Sequence, residues 1–115
     1  MSKNGFLICP VRGHDMDETF QIVCELERDG WQIHWPHRDT DQTDPIGLEI
    51  CKTNRQAIND ADMVFIVWDG KSTGSLFDLG MAFAMNKPLS IIEIPESTES
   101  KSFQNMMYAW EKDVA

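Results

Sequence analysis

Short apolar runs recur along this chain, and polar segments separate them. The runs at residues 6–11, 63–68 and 89–94 are almost free of charge, which is typical of strands that are buried on both faces of a sheet. A fourth run, at residues 31–35, ends immediately before a proline, which cannot continue a central strand. The pattern therefore predicts four strands.

The segments between these runs carry apolar residues at helical spacing. Helices are predicted at residues 17–29 and 75–85 and at Phe103–Lys112. Residues 37–44 are polar and predict a loop. Asp44 and Pro45 then predict a helix start, because aspartate caps a helix and proline suits its first position. The expected inward residues are Phe20, Ile22, Val23 and Leu26 in the first helix and Ile46, Ile50, Asn54, Ala57, Ile58 and Ala61 in the second.

This alternation of strands and helices predicts an α/β fold. We expect a doubly wound, Rossmann-like or flavodoxin-like parallel sheet of four to five strands with helices on both faces, formed by residues 1–115 as a single domain. Ligands of such sheets bind beyond the carboxyl ends of the strands. The loops after the first three strands are therefore the expected functional positions.

Charge and cysteine content narrow the classes of partner. The formal net charge of −9 argues against a nucleic acid polymer or an anionic membrane as partner, so any phosphate must be held by local donors. The three cysteines, Cys9, Cys24 and Cys51, include no C-x-x-C pair, which predicts reduced thiols and a cytoplasmic protein. No signal peptide or membrane-spanning run is recognised, and no cofactor is expected.

Two possible sites can be dismissed from spacing. Gly70-Lys71-Ser72 matches the end of a P-loop, but Phe65 occupies the position of its first glycine, which argues against a nucleotide triphosphatase. A single phosphate could still bind the N–H groups of Gly74 and Ser75. The pair of histidines at positions 34 and 37 lacks a third ligand at a suitable spacing, so no metal site is predicted.

Asp78 is the most prominent candidate for chemistry. If Ser75 is the N-cap of the third helix, Asp78 is its third residue, and the pair resembles a capping box. The same position near the helix dipole would lower the pKa of the carboxyl group and keep it ionised, which suits a nucleophile or a charge stabiliser. Spacing alone leaves both interpretations open.

Residues 62–88 resemble the nucleoside 2-deoxyribosyltransferases and the related 2′-deoxynucleoside 5′-monophosphate N-glycosidases. Two further segments resemble the same family: residues 9–13 its substrate loop, and residues 36–46 its loop on the base side. The matching residues of the first segment are Gly74, Asp78, Leu79, Gly80, Ala82, Ala84, Lys87 and Pro88.

The resemblance implies roles for three residues. Asp78 takes the position of the glutamate that attacks the anomeric carbon, although its side chain is shorter by one methylene, about 1.5 Å. Asn54 takes the position of an aspartate that moves a proton to or from the base, and its amide can bond a base but cannot transfer a proton. Ser72 lies where the monophosphate hydrolases carry serine, which favours a nucleotide monophosphate.

The sequence therefore predicts an enzyme that cleaves or transfers the N-glycosidic bond of 2′-deoxynucleosides or their 5′-monophosphates. An alternative is a nucleotide-binding module that has lost the chemistry, and a flavodoxin-like electron carrier is a more distant third. The apolar stripe of the last helix predicts a homodimer, as the resemblance also implies. Asp78 and Asn54 are the predicted catalytic residues, and Cys9, Arg12, Gly13, Asp41, Gln42, Ser72, Gly74 and Ser75 are the predicted substrate-binding residues.

Overall fold

A computed structural model describes residues 3–10 and 15–113 of the chain. It contains four strands and five helices within these ranges. In chain order they are β1 (Lys3–Ile8), α1 (Met16–Arg28), β2 (Trp31–His34), α2 (Pro36–Asp39), α3 (Leu48–Asp60), β3 (Met63–Val67), α4 (Thr73–Ala84), β4 (Leu89–Glu93) and α5 (Phe103–Lys112).

The four strands form one parallel sheet in the order β2-β1-β3-β4. The chain leaves β1 toward one edge of the sheet and later returns toward the other edge, so β1 and β3 flank the point where the winding direction changes. In open parallel sheets, ligands bind beyond the strand ends at such a point. The predicted doubly wound α/β fold is confirmed.

Two hydrophobic clusters cover the two faces of the sheet. On one face Phe6, Ile8 and Val64 pack with residues of α3, α4 and α5. On the other, Leu7 and Phe65 pack with residues of α1. Successive strand residues point to opposite faces, which is why strand segments covered on both faces, such as β3, are apolar throughout. No helix among the described residues is long and apolar enough to cross a membrane.

Two predicted element boundaries and one predicted inward residue need correction in the first part of the chain. β1 starts at Lys3, earlier than predicted, because its polar first residues pair with β2. Phe20 was predicted to face inward, yet 52% of it is exposed. Part of the predicted loop after β2 is the short helix α2, which begins at Pro36, where the missing N–H of proline has no cost.

The start of the second predicted helix was wrong. The Asp44 carboxylate accepts hydrogen bonds from the backbone N–H groups of Ile46, in the turn before the helix, and of Glu49, in the first turn of α3, but Asp44 is not the residue at which the helix begins. Gly47 has φ of 92°, a left-handed conformation that delays the helix to Leu48. Ile46 consequently lies before the helix and is 87% exposed.

The last helix, α5, was predicted at its observed bounds. Its apolar stripe is partly used within the subunit: Met107 is fully buried, and the Trp110 indole donates a hydrogen bond to the carbonyl oxygen of Lys87. Phe103 remains 53% exposed. The homodimer stays a prediction.

A prediction about stability follows from the packing of Gly5 between two strands. A Cβ atom at this position would lie 2.8 Å from Ile33 Cδ1 and 2.8 Å from Phe65 Cε2, so Gly5→Ala should destabilise the fold by about 1–3 kcal/mol. Gly80→Ala is the control, because its Cβ would meet nothing within 4 Å and alanine is the better helix former. Urea unfolding measures both variants. Equal stability of the two would contradict this account of the packing.

Candidate active site

A pocket of about 420 Å³ lies at the carboxyl edge of the sheet. It is bounded by the residue that follows β1, by the segment after β2, and by the amino-terminal halves of α3 and α4. It therefore occupies the place that the sheet topology favours for ligands. Its lining residues are Cys9, Pro36, Gln42, Ile50, Cys51, Asn54, Ser72, Thr73, Gly74, Ser75, Phe77 and Asp78.

The start of α4 differs from the sequence prediction. Ser72, not Ser75, is the N-cap, and its hydroxyl oxygen accepts hydrogen bonds from the backbone N–H and the hydroxyl of Ser75. The Asp69 carboxylate accepts from the N–H groups of Lys71 and Ser72, which turns the chain so that Ser72 precedes the first helical residue. Asp78 therefore lies in the second turn, and the predicted capping box with Ser75 is wrong.

This correction changes which donors are available to a ligand. The backbone N–H of Ser75 is used by Ser72, whereas within the described ranges no group accepts from the N–H of Thr73 or Gly74. Ser72 accepts the proton of Ser75, so its own hydroxyl proton remains available for donation. The available donors at this helix start are thus the Ser72 hydroxyl and the N–H groups of Thr73 and Gly74, instead of those of Gly74 and Ser75.

The environment of Asp78 also departs from expectation. Burial raises the pKa of its carboxyl group from 3.8 to about 7. Removal from water disfavours the charged form, and in the second turn the helix dipole acts weakly because its effect is confined to the end of the helix. Within the described part of the chain, no group donates a hydrogen bond to this carboxylate. The predicted lowering of the pKa by the dipole is wrong.

Asn54 lines the pocket from α3 and is 6% exposed. Its Oδ1 accepts a hydrogen bond of 2.7 Å from the hydroxyl of Thr40, a residue that is 4% exposed. The Thr40 oxygen lies 2.7 Å from Nε2 of His34, which stacks on Phe6 with the two rings 7° from parallel. Burial lowers the pKa of His34, so its ring is mainly neutral near pH 7.

Two other predicted residues reach the pocket. Cys9 follows β1, and burial raises the pKa of its thiol to about 11, which makes it an inert, protonated group at neutral pH. The nearby Trp35 side chain opposes this shift, and its buried indole N–H has no hydrogen-bond partner among the described residues. Gln42 lines the pocket and donates its side-chain amide to the carbonyl oxygen of Pro36.

One predicted residue does not line the pocket, and two lie outside the described part of the chain. Asp41 is exposed and is not a lining residue, because its carboxylate accepts from the backbone and the hydroxyl of Thr43 instead. Arg12 and Gly13 lie outside the described residues. No cluster of metal-binding side chains occurs among the residues that the structure describes.

Five of the lining residues had no predicted role in the site. They are Pro36, Ile50, Cys51, Thr73 and Phe77. Helical spacing carried a usable signal for three of them: Cys51 lies three positions before Asn54, Ile50 lies four before it, and Phe77 lies next to Asp78 and three positions after Gly74. Each shares a helix face with a predicted residue.

At the level of sequence, no protein-family model matches this chain, and no curated protein matches it significantly. Solved structures do match. The 2-deoxyribosyltransferase of Bacillus psychrosaccharolyticus superimposes with a TM-score of 0.69 over 93% of this chain and 81% of its own, at 16% identity. This chain has the 2-deoxyribosyltransferase fold.

Two further structures share the 2-deoxyribosyltransferase fold. The CMP N-glycosidase BcmB of Clostridium botulinum has a TM-score of 0.65 and 16% identity, over 94% of this chain and 82% of its own. The 2-deoxyribosyltransferase of Leishmania mexicana has a TM-score of 0.62 and 19% identity, over 81% of this chain and 65% of its own. The resemblance seen in residues 62–88 is thus matched by the fold, and the three proteins with that fold are named as enzymes of glycosyl transfer or cleavage.

Proposed function

We propose that this protein cleaves or transfers the N-glycosidic bond of 2′-deoxynucleoside 5′-monophosphates, with Asp78 as nucleophile. The observation that carries the proposal is the placement of Asp78: a largely buried carboxylate shares one pocket with the donors at the start of α4 and with Asn54. The 2-deoxyribosyltransferase fold of the chain supports the same class of reaction.

The reaction would proceed in two displacements. An oxygen of the ionised Asp78 carboxylate attacks C1′ of the deoxyribosyl group, and the electrons of the glycosidic bond leave with the base. Water or a second base then attacks C1′, the ester bond breaks, and the carboxylate is restored. With a pKa of about 7, a substantial fraction of Asp78 is ionised at neutral pH. Few solvating donors surround that charge, so little reorganisation precedes attack.

The start of α4 supports a phosphate as part of the substrate. The Ser72 hydroxyl and the N–H groups of Thr73 and Gly74 are available donors at a helix N-terminus, where the dipole favours an anion. They lie in the same pocket as Asp78, one to two helical turns away. Arg12 is predicted to bind the substrate, and we propose that it supplies a positive charge near the phosphate.

Asn54 favours a second candidate function, because its amide cannot transfer a proton to the leaving base. Apart from Asp78, the described lining residues include no acid, and the Cys9 thiol has a pKa of about 11, so no second group of suitable pKa protonates the leaving base. A nucleotide-binding module without chemistry is therefore the alternative. In the catalytic case, the departing base takes its proton from solvent.

A substrate panel tests the proposed function. Incubation with the four 2′-deoxynucleosides and their 5′-monophosphates, followed by chromatography of free base, should give kcat/KM at least about tenfold higher for the monophosphates, since each added charge-assisted hydrogen bond contributes roughly 1.5–3 kcal/mol. Ser72→Ala should reduce that preference. Calorimetric binding without release would instead support the binding module, and failure of every compound to bind would contradict both functions.

Ser102→Ala supplies the matched control for Ser72→Ala. Ser102 is the N-cap of α5, where its hydroxyl oxygen accepts from the N–H of Asn105, and it is not a lining residue of the pocket. Both variants lose a serine cap, which costs about 1 kcal/mol of stability. Only Ser72→Ala should alter the ratio of kcat/KM for monophosphates to kcat/KM for nucleosides. An equal change in both variants would show that the ratio reports helix stability and would contradict the phosphate contact.

A further inference from the structure

Three side chains from separate segments form a hydrogen-bond chain beside the pocket. His34 ends β2, Thr40 follows α2, and Asn54 belongs to α3. The two links are both 2.7 Å, from His34 Nε2 to Thr40 Oγ1 and from Thr40 Oγ1 to Asn54 Oδ1. Only Asn54 of the three lines the pocket.

The placement of Asn54 Oδ1 next to the Thr40 hydroxyl sets the direction of this hydrogen-bond chain. The hydroxyl of Thr40 has one proton, which it donates to Asn54 Oδ1. The contact with His34 must then use a lone pair of the Thr40 oxygen, so His34 Nε2 is the donor. The oxygen of the Asn54 amide is therefore engaged by Thr40, and its Nδ2 group is the part available for the pocket.

We propose that Thr40, supported by His34, is a positioning residue that orients the Asn54 amide so that Nδ2 donates into the pocket. The site then selects bases that present a hydrogen-bond acceptor at that point and disfavours those that present a donor. This selectivity rests on the proposed function, because it concerns the base of the same substrate. Thr40 itself does not line the pocket and acts only through Asn54.

Substitution of Thr40 separates positioning from general packing. Thr40→Val keeps the shape of the side chain but removes the hydroxyl, so the Asn54 amide is free to turn and present either end. Thr40→Ser keeps the hydroxyl. Thr19→Val is the control, because Thr19 is fully buried and its hydroxyl bonds the Asp15 carbonyl oxygen at the start of α1, on the other face of the sheet.

Calorimetry measures the effect, in an Asp78→Asn background that prevents turnover. The ligands are the four 2′-deoxynucleoside 5′-monophosphates and 2-deoxyribose 5-phosphate, which lacks a base. Thr40→Val should weaken binding of the tightest-binding nucleotide about tenfold and reduce discrimination among bases. It should change the affinity for the sugar phosphate by less than about twofold. The nucleotide affinity of Thr40→Ser should stay within about threefold of that of the Asp78→Asn parent, and the affinity of Thr19→Val within about twofold. Equal weakening of the sugar phosphate, or no rescue by serine, would overturn the proposal.

A measurement without ligand tests the direction of the hydrogen bonds from His34 through Thr40 to Asn54. Nitrogen-15 NMR of the His34 ring should show the Nε2–H tautomer in the wild-type protein, and Thr40→Val should shift that resonance and the Asn54 side-chain amide. An Nδ1–H tautomer would mean that Nε2 accepts the Thr40 proton, and it would overturn the proposal. If no compound binds and no base is released, the proposed function and the base selectivity fail together, whereas the Nε2–H tautomer still supports the positioning of Asn54.

Discussion

Replacing Asp78 with asparagine should reduce the release of base by a factor on the order of a thousand or more. The variant keeps the size and shape of the side chain but cannot form the ester to C1′, so only binding and positioning remain. Single-turnover kinetics with chromatography of free base measures the loss. Mass spectrometry of the wild-type protein, quenched in acid during turnover of a 2′-deoxynucleoside 5′-monophosphate, should also show the added mass of the 5-phospho-2-deoxyribosyl group on a peptide that contains Asp78.

Asp29→Asn is the matched control for this prediction. It makes the same chemical change at the exposed C-cap of α1, outside the pocket lining, and should leave the rate within about twofold. If Asp78→Asn retained more than a tenth of the activity, the assignment of the nucleophile would be wrong. Loss of activity in both variants would point to the fold and not to the chemistry.

The same Asp78→Asn variant should be more stable than the wild-type protein at pH 8, by about 2–4 kcal/mol. A rise of the pKa from 3.8 to about 7 in the folded state means that the ionised carboxylate destabilises the fold by up to about 4 kcal/mol. Asparagine has no charge to desolvate and removes this cost. Urea unfolding at pH 8 measures the difference.

The stability difference between Asp78→Asn and the wild-type protein should depend on pH. Because the pKa of Asp78 is higher in the folded than in the unfolded state, the folded state holds more protons between about pH 4 and pH 7. The contribution of Asp78 to stability is therefore lost as pH rises through that window and is constant above it. The difference between variant and wild type should grow from near zero at pH 4 to its full value near pH 8. A difference independent of pH would contradict the buried charge.

The polar first residues of β1 fell outside the predicted strand, whereas β3 was predictable because it is apolar throughout, as a strand covered on both faces must be. The turn at Asp44 and Gly47 was not. Asp44 is a suitable cap in sequence, but its carboxylate bonds N–H groups two and five residues later, and the glycine takes a left-handed conformation. Local propensity cannot rank these alternatives, since they differ by about 1 kcal/mol or less.

The site was predictable in its membership more than in its electrostatics. The pocket brings together Ser72, Asn54 and Asp78. Each lies at or in the amino-terminal half of a helix, which is the end that a parallel α/β fold places at the carboxyl edge of the sheet. The pKa of Asp78 depends on how much protein surrounds it, which only the packed structure shows. The contact between Thr40 and Asn54 joins residues 14 positions apart on different segments, and no motif marked Thr40.

Lys87 has a mechanical consequence for the pocket. Its ammonium group donates to the carbonyl oxygens of Asn59 and Ala61, so it ties the segment after α4 to the carboxyl end of α3. The pocket residues of both helices lie at the opposite, amino-terminal ends. The two helices are therefore tied together at the end remote from the residues that line the pocket.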